Sequence, residues 1–119
     1  MRRRGRRRGQ LKKAMSIIDS FEKMLANGKD NPLLRFSLGN EYLKVNDAAQ
    51  AAGHLRAAVA QDAGYSAAWK LLGKALAQAD DIEGAKDAYA KGIAAANAKG
   101  DKQAAKEMTI FLRRLDRTE

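Results

Sequence analysis

Apolar residues recur along this chain at helical spacing, in blocks separated by short polar or glycine-containing turns. From Gln10 to Ala26, Leu11, Ala14, Met15, Ile18, Phe21 and Leu25 fall at intervals of three and four, and Lys12, Lys13, Asp19, Glu22 and Lys23 lie mostly elsewhere. That spacing predicts an amphipathic helix with one face to bury. Asn27-Gly28 supplies a C-terminal stop, and Asp30-Asn31-Pro32 a fresh start with Asn31 as cap and Pro32 in the first turn. Further helices are predicted over 32–45, 48–61, 66–79, 82–97 and 102–117. Asn46-Asp47 and Asp80-Asp81 break one helix and cap the next, Ser66 is placed as cap of the fourth, and Gly100-Asp101 opens the last. The last helix carries Ala104, Ala105, Met108, Phe111, Leu112 and Leu115 on its apolar side. Alanine is abundant, β-branched residues are sparse and Pro32 is the only proline, all of which favour helix.

Two of these helices share a text. Trp69, Leu72, Gly73 and Leu76 are spaced to share one face, and 34 residues earlier Leu38, Gly39 and Tyr42 match Leu72, Gly73 and Leu76. Glycine costs about 1 kcal/mol inside a helix relative to alanine. Gly39 and Gly73 therefore predict close approach of another backbone, with Trp69 filling the core beside it. Asp47/Asp81, Ala51/Ala85 and Ala60/Ala94 repeat at the same offset, at the turn and at helix contacts.

This pattern resembles the tetratricopeptide repeat, a helix–turn–helix unit of about 34 residues. Trp69, Leu72, Gly73, Leu76, Ala85, Tyr89 and Gly92 fit its signature in the repeat at 66–99, and Leu38, Gly39, Tyr42, Ala51, Leu55 and Ala58 in the repeat at 32–65. Arg35 departs at the Trp position, and Ala63 and Asn97 stand where the family places proline. The same register puts Phe21 at the aromatic position of a half repeat at 10–31, and 100–119 resembles the helix that closes such arrays. The whole chain is similar to small bacterial proteins that consist of little else than this module. The resemblance implies an all-α fold, a right-handed α-α superhelix of stacked helix–turn–helix repeats with about six helices, occupying 10–119.

Charge adds a separate feature. Of the net charge of +9, six units come from Arg2, Arg3, Arg4, Arg6, Arg7 and Arg8, within a stretch that holds no acid. Residues 1–9 lack hydrophobic periodicity and repel themselves, which predicts a disordered tail. Its functional reading is an arm for nucleic acid or another anion; its plain reading is a solvated tail. No aromatic is interleaved to stack on bases. The chain has no cysteine, so disulfides and thiolate metal sites are excluded. No apolar run approaches the length of about 18 residues that spans a bilayer, and no secretory h-region follows the basic start. A cytoplasmic protein without membrane contact is expected.

Catalytic constellations are missing from the sequence. His54 is the only histidine and reads as an exposed or partly packed side chain, and Asp80, Asp81 and Glu83 read as caps and a solvated turn. Neither a cofactor nor an enzymatic activity is expected. What remains is a surface. In the family resembled, the first helices of the repeats line a concave groove that holds a peptide or a partner's segment. The corresponding positions are Leu33, Phe36, Asn40, Leu43 and Lys44, then Ala67, Lys70, Lys74, Ala77 and Gln78. Lys70 and Lys74 are one turn apart, and Asn40 occupies the Lys74-equivalent position. Together they suit a carboxylate held by charge-assisted hydrogen bonds. Members with a full carboxylate clamp carry Lys where Phe36 stands. The partner expected is an acidic or C-terminal peptide with an apolar residue. Competing readings are solvated lysines, nucleic acid bound through the Arg arm, and a weak homodimer formed by the apolar ends of the array in place of a monomer.

Overall fold

The computed structural model describes residues 2–118, with side chains from 8 to 117. Six helices run through them: α1 Arg2–Ala26, α2 Pro32–Lys44, α3 Ala48–Gln61, α4 Ser66–Gln78, α5 Ile82–Ala98 and α6 Lys102–Thr118. No strand occurs among the described residues.

Four of the five breaks close their helices in one way. Gly28, Asn46, Asp80 and Gly100 take left-handed φ values of 86°, 62°, 61° and 77°. The N–H of the next residue then returns to the carbonyl five positions back, Lys29 to Met24, Asp47 to Tyr42, Asp81 to Leu76 and Asp101 to Ala96, at 2.8–3.1 Å. These bonds satisfy carbonyls that a helix end leaves open. Four starts are capped as the sequence predicts: Asn31, Asp47, Asp81 and Asp101 accept from the N–H of Leu34, Gln50, Gly84 and Ala104 at 2.8–3.1 Å. The fifth break differs. Asp62 accepts from the Gly64 N–H at 3.1 Å, and the tight turn draws Ser66 into the helix itself. Tyr65 stands at the cap with no side-chain bond, and Ser66 is buried, so Ser66 is not the cap.

The beginning of the chain also departs from expectation. Residues 2–9, predicted as a disordered tail, continue α1 as helix. Arginine is a strong helix former, and extending a helix already nucleated at 10–26 costs far less than starting one.

Consecutive helices pack on one another, and α4 also touches α2 on one side and α6 on the other, while the backbones of α1, α3 and α5 stay apart. The array therefore curves with α2, α4 and α6 inside. Its core joins Ala51, Leu55, Ala58, Ala68, Leu72 and Ala85, with Leu55 wholly buried. A Cβ at Gly39 would lie 2.5 Å from Leu55 Cγ, and one at Gly73 2.5 Å from the Tyr89 ring. The glycines do mark close approach, but what presses on them is a side chain of the second helix, not a backbone. Gly92 makes the corresponding space for Met108 and the Cβ of Trp69. Trp69 itself is only half-buried, because Ala68 and Leu72 take the seam with α3. Its indole N–H donates to the Ala63 carbonyl at 2.8 Å, and the Lys91 ammonium lies 5.7 Å over the ring.

At the Trp-equivalent position, Arg35 performs the same backward tie with a different plane. Its guanidinium donates twice to Asp30, at 2.9 Å each, and Gln61 donates to the same carboxylate at 2.9 Å. The guanidinium also reaches His54 Nδ1 at 3.1 Å. His54 is buried, where its sequence context predicts an exposed or partly packed side chain. It stacks on Tyr42 with 5.4 Å between centroids, and its Nε2 lies 3.1 Å from Glu22 Oε1, which also accepts from the Tyr42 hydroxyl at 2.9 Å. A neutral ring with its proton on Nε2 satisfies both contacts: it donates to Glu22 and accepts from Arg35.

This network makes stability depend on pH. Burial holds the His54 pKa below its ordinary value, against the opposing pull of Glu22. The unfolded chain then takes up this proton first, so stability is complete above the unfolded pKa of about 6.5 and falls as the pH drops through it. One proton sets an upper slope of about 1.4 kcal/mol per pH unit. Asp30, held at about 2 by its bonds to Arg35 and Gln61, adds a separate acid limb at lower pH. Melting curves at pH 7.5 and 5 are expected to fall for the wild type and to converge for His54→Gln, whose amide keeps a donor and an acceptor. An undiminished drop in the variant would assign the loss to other groups.

Candidate peptide-binding groove

On the inner side of the array a cavity of about 540 Å³ opens among α2, α4, α5 and α6, lined by Phe36, Asn40, Ala67, Lys70, Leu71, Lys74, Tyr89 and Phe111. Helical periodicity places its polar pieces. Phe36 and Asn40 are one turn apart on α2, as Lys70 and Lys74 are on α4, and the α2–α4 contact sets the two pairs side by side. Phe36 is braced by Tyr65, with ring centroids 5.2 Å apart. Tyr89 and Phe111 meet at 5.7 Å and close the far wall.

Of the positions predicted to face inward, Phe36, Asn40, Ala67, Lys70 and Lys74 come together here. Leu33, Leu43, Lys44, Ala77 and Gln78 do not line this cavity. Leu33 stands 65% exposed, Leu43 packs against the core, Gln78 is exposed past the cavity, and Lys44 turns toward α1 and donates to Glu41 at 2.9 Å. Sequence reasoning missed Tyr89 and Phe111. The repeat signature accounts for Tyr89 as packing, and the periodicity of the closing helix accounts for Phe111 as part of its apolar side, so neither is marked as groove lining.

The two lysines differ in state. Lys70 donates to Glu107 of α6 and sits 6.0 Å from the Phe111 centroid, while Arg114 covers the same ring at 5.9 Å. Lys70 and Gln103 bind the Glu107 carboxylate and hold its pKa below the usual range. Lys74 is exposed and has no acidic partner among the described residues. Lys74 and the Asn40 amide are thus donors beside aromatic walls, a combination suited to a carboxylate with an apolar neighbour.

The Arg arm lies elsewhere, on the first turns of α1, and Arg8 is exposed. The anion-binding reading of Arg2, Arg3, Arg4, Arg6 and Arg7 falls on side chains outside the described ones. Among the described residues no three His, Asp or Glu side chains converge as a metal site, and no helix is long and apolar enough to cross a membrane.

No protein-family model matches the chain. It is 58% identical over 101 residues to a TPR repeat-containing protein of Pseudomonas aeruginosa, covering 85% of this chain and 96% of that one. The solution structure of a Bordetella parapertussis protein is 49% identical, with a TM-score of 0.74 over 86% of this chain and 89% of that one. The first TPR of Spaghetti, solved bound to the HSP90 peptide SRMEEVD, is similar at a TM-score of 0.74 over 98% of this chain and 89% of that one. At 22% identity that likeness is one of fold.

Proposed function

This chain belongs to the tetratricopeptide-repeat family, and on that premise we propose that it is a protein-interaction module that seats an acidic segment, or a peptide's C-terminal carboxylate, on Lys74 and Asn40. The observation that carries this reading is the contrast between two neighbouring lysines. Lys70 is taken by Glu107, and Lys74, one turn on, lines the same aromatic cavity with no acidic partner among the described residues. Glu107 is an internal precedent for a carboxylate on this wall. Leu71, Tyr89 and Phe111 offer the apolar surface for the residue beside the incoming acid. The fold neighbour that holds SRMEEVD supports the class of ligand only by analogy of architecture.

The test is a fluorescence-anisotropy titration with labelled SRMEEVD, as free acid and as C-terminal amide. A hydrogen bond to a charged group is worth roughly 1.5–3 kcal/mol, which corresponds to about tenfold or more in affinity. Lys74→Glu is expected to weaken binding by at least about that factor, and the amide to bind less well than the acid. Glu107→Gln releases Lys70 and is expected to tighten binding several-fold. Removing residues 2–8 is expected to change nothing. Equal affinity for wild type and Lys74→Glu would end the groove reading, and loss of binding with the arm would move the acid-binding element to α1.

A further inference from the structure

The stripe of α2 that faces α1 runs Leu34, Leu38, Glu41. In the next repeat the same register reads Ala68, Leu72, Ala75, buried throughout against the preceding helices. A carboxylate therefore stands at a position whose counterpart is a wholly buried methyl group. Glu41 is 8% exposed. Its Oε1 accepts from Lys44 at 2.9 Å, and its Oε2 is buried without a hydrogen-bond partner. Leaving such an oxygen unsatisfied is unfavourable, the more so when it is charged, so the position calls for a donor.

Oε2 itself is enclosed, so a donor from outside meets the carboxylate on the side of Oε1, where space is present. Glu41 lines a cavity of about 650 Å³ between α1 and the end of α2, whose α1 wall includes Leu11, Ala14 and Ile17. The cavity exists because α1 runs straight on through 10–13, the positions that match the turn at 44–47 in the 34-residue register. The slot that α2 fills beside α4 is thus left open beside α2 itself.

We propose that this cavity is a second binding site, which takes the ammonium or guanidinium end of a partner's lysine or arginine side chain on Glu41. The carboxylate supplies the charge, and only one oxygen is engaged internally. Leu11, Ala14 and Ile17 form an apolar wall for the aliphatic stem of such a side chain. The cations already at the rim are Lys13, which is exposed, and Lys44, whose side chain is 56% exposed. Lys44 can swing into solvent when the incoming cation takes its place. The site shares no residue with the groove of Lys74 and does not depend on it.

Amide NMR titrations of the full chain with n-butylammonium and n-butylguanidinium chloride, at constant ionic strength, test this directly. Saturable shifts are expected at residues 11–17 and 41–46, with no such response to n-butanol. Glu41→Gln, nearly the same shape, is expected to weaken the binding at least fivefold, and Lys44→Met, which removes the internal competitor, to strengthen it. Opposite responses from two variants cannot both arise from loss of fold. Shifts that are scattered and unsaturable, or that persist in Glu41→Gln, would overturn the proposal.

Discussion

Truncating Leu55 to alanine is expected to lower the unfolding free energy by about 3 kcal/mol, near the middle of the range for a buried leucine. Leu55 is wholly buried, and its branch point fills the space over Gly39. The companion change Gly39→Ala has two opposing parts. It gains about 1 kcal/mol of helix propensity, but its methyl would arrive 2.5 Å from Leu55 Cγ in a core with no free direction. Overpacking of this kind costs about 1–3 kcal/mol, so Gly39→Ala alone is expected to be mildly destabilising. In the double variant the new methyl occupies volume that Leu55 has vacated. The double-mutant cycle should then show a coupling of at least about 1 kcal/mol in the stabilising direction. Urea unfolding followed by circular dichroism measures all four proteins. Strict additivity would mean that the two residues do not share a contact.

Met108→Ala is expected to cost about 3 kcal/mol and to act locally. Met108 is wholly buried, and with Tyr89, Ala96 and Ala105 it forms the cluster that docks α6 on α5, its sulfur set over Gly92. α6 is a terminal element with one neighbouring hairpin, so it can open without the rest of the array. Hydrogen exchange should show amides of α6 losing protection while those of α3 and α4 keep most of theirs. Glu107 and Phe111 leave with α6, which frees Lys70 and removes one wall of the groove. Retained protection over 104–112 would contradict this docking role.

Much of the architecture could be read locally because local chemistry determines it. Asn31, Asp47, Asp81 and Asp101 cap the residues that their position predicts, and the Leu38-Gly39 and Leu72-Gly73 pairs lie under Leu55 and Tyr89. What escaped notice depends on residues far apart in the chain. His54 follows Gly53 and precedes Leu55, and nothing adjacent reveals that Glu22, Arg35 and Tyr42 converge on its ring. Lys70 stands in the repeat at 66–99 and Glu107, 37 residues on, in the closing helix, so no spacing rule joins them. Glu41 is a different case. Its place one turn after Leu38, opposite Ala75 in the repeat register, was visible as an acid on an apolar stripe. At the start of α1 two local properties of six arginines oppose each other, their self-repulsion and their high helix propensity, and the second prevails.

The left-handed residue followed by Asp, found at both Asn46-Asp47 and Asp80-Asp81, fixes the bend inside each hairpin to nearly one shape. Lengthening the array therefore reuses this bend, and only a joint between hairpins, such as the turn at 62–65, has to be supplied. A duplicate of 66–99 inserted ahead of α6 would offer it a second copy of the Trp69–Gly92 seat, and the inner wall would grow by one rung of the same pitch. The molecule is in this sense a short ruler, whose reach along an extended partner is set by how many times one segment is copied.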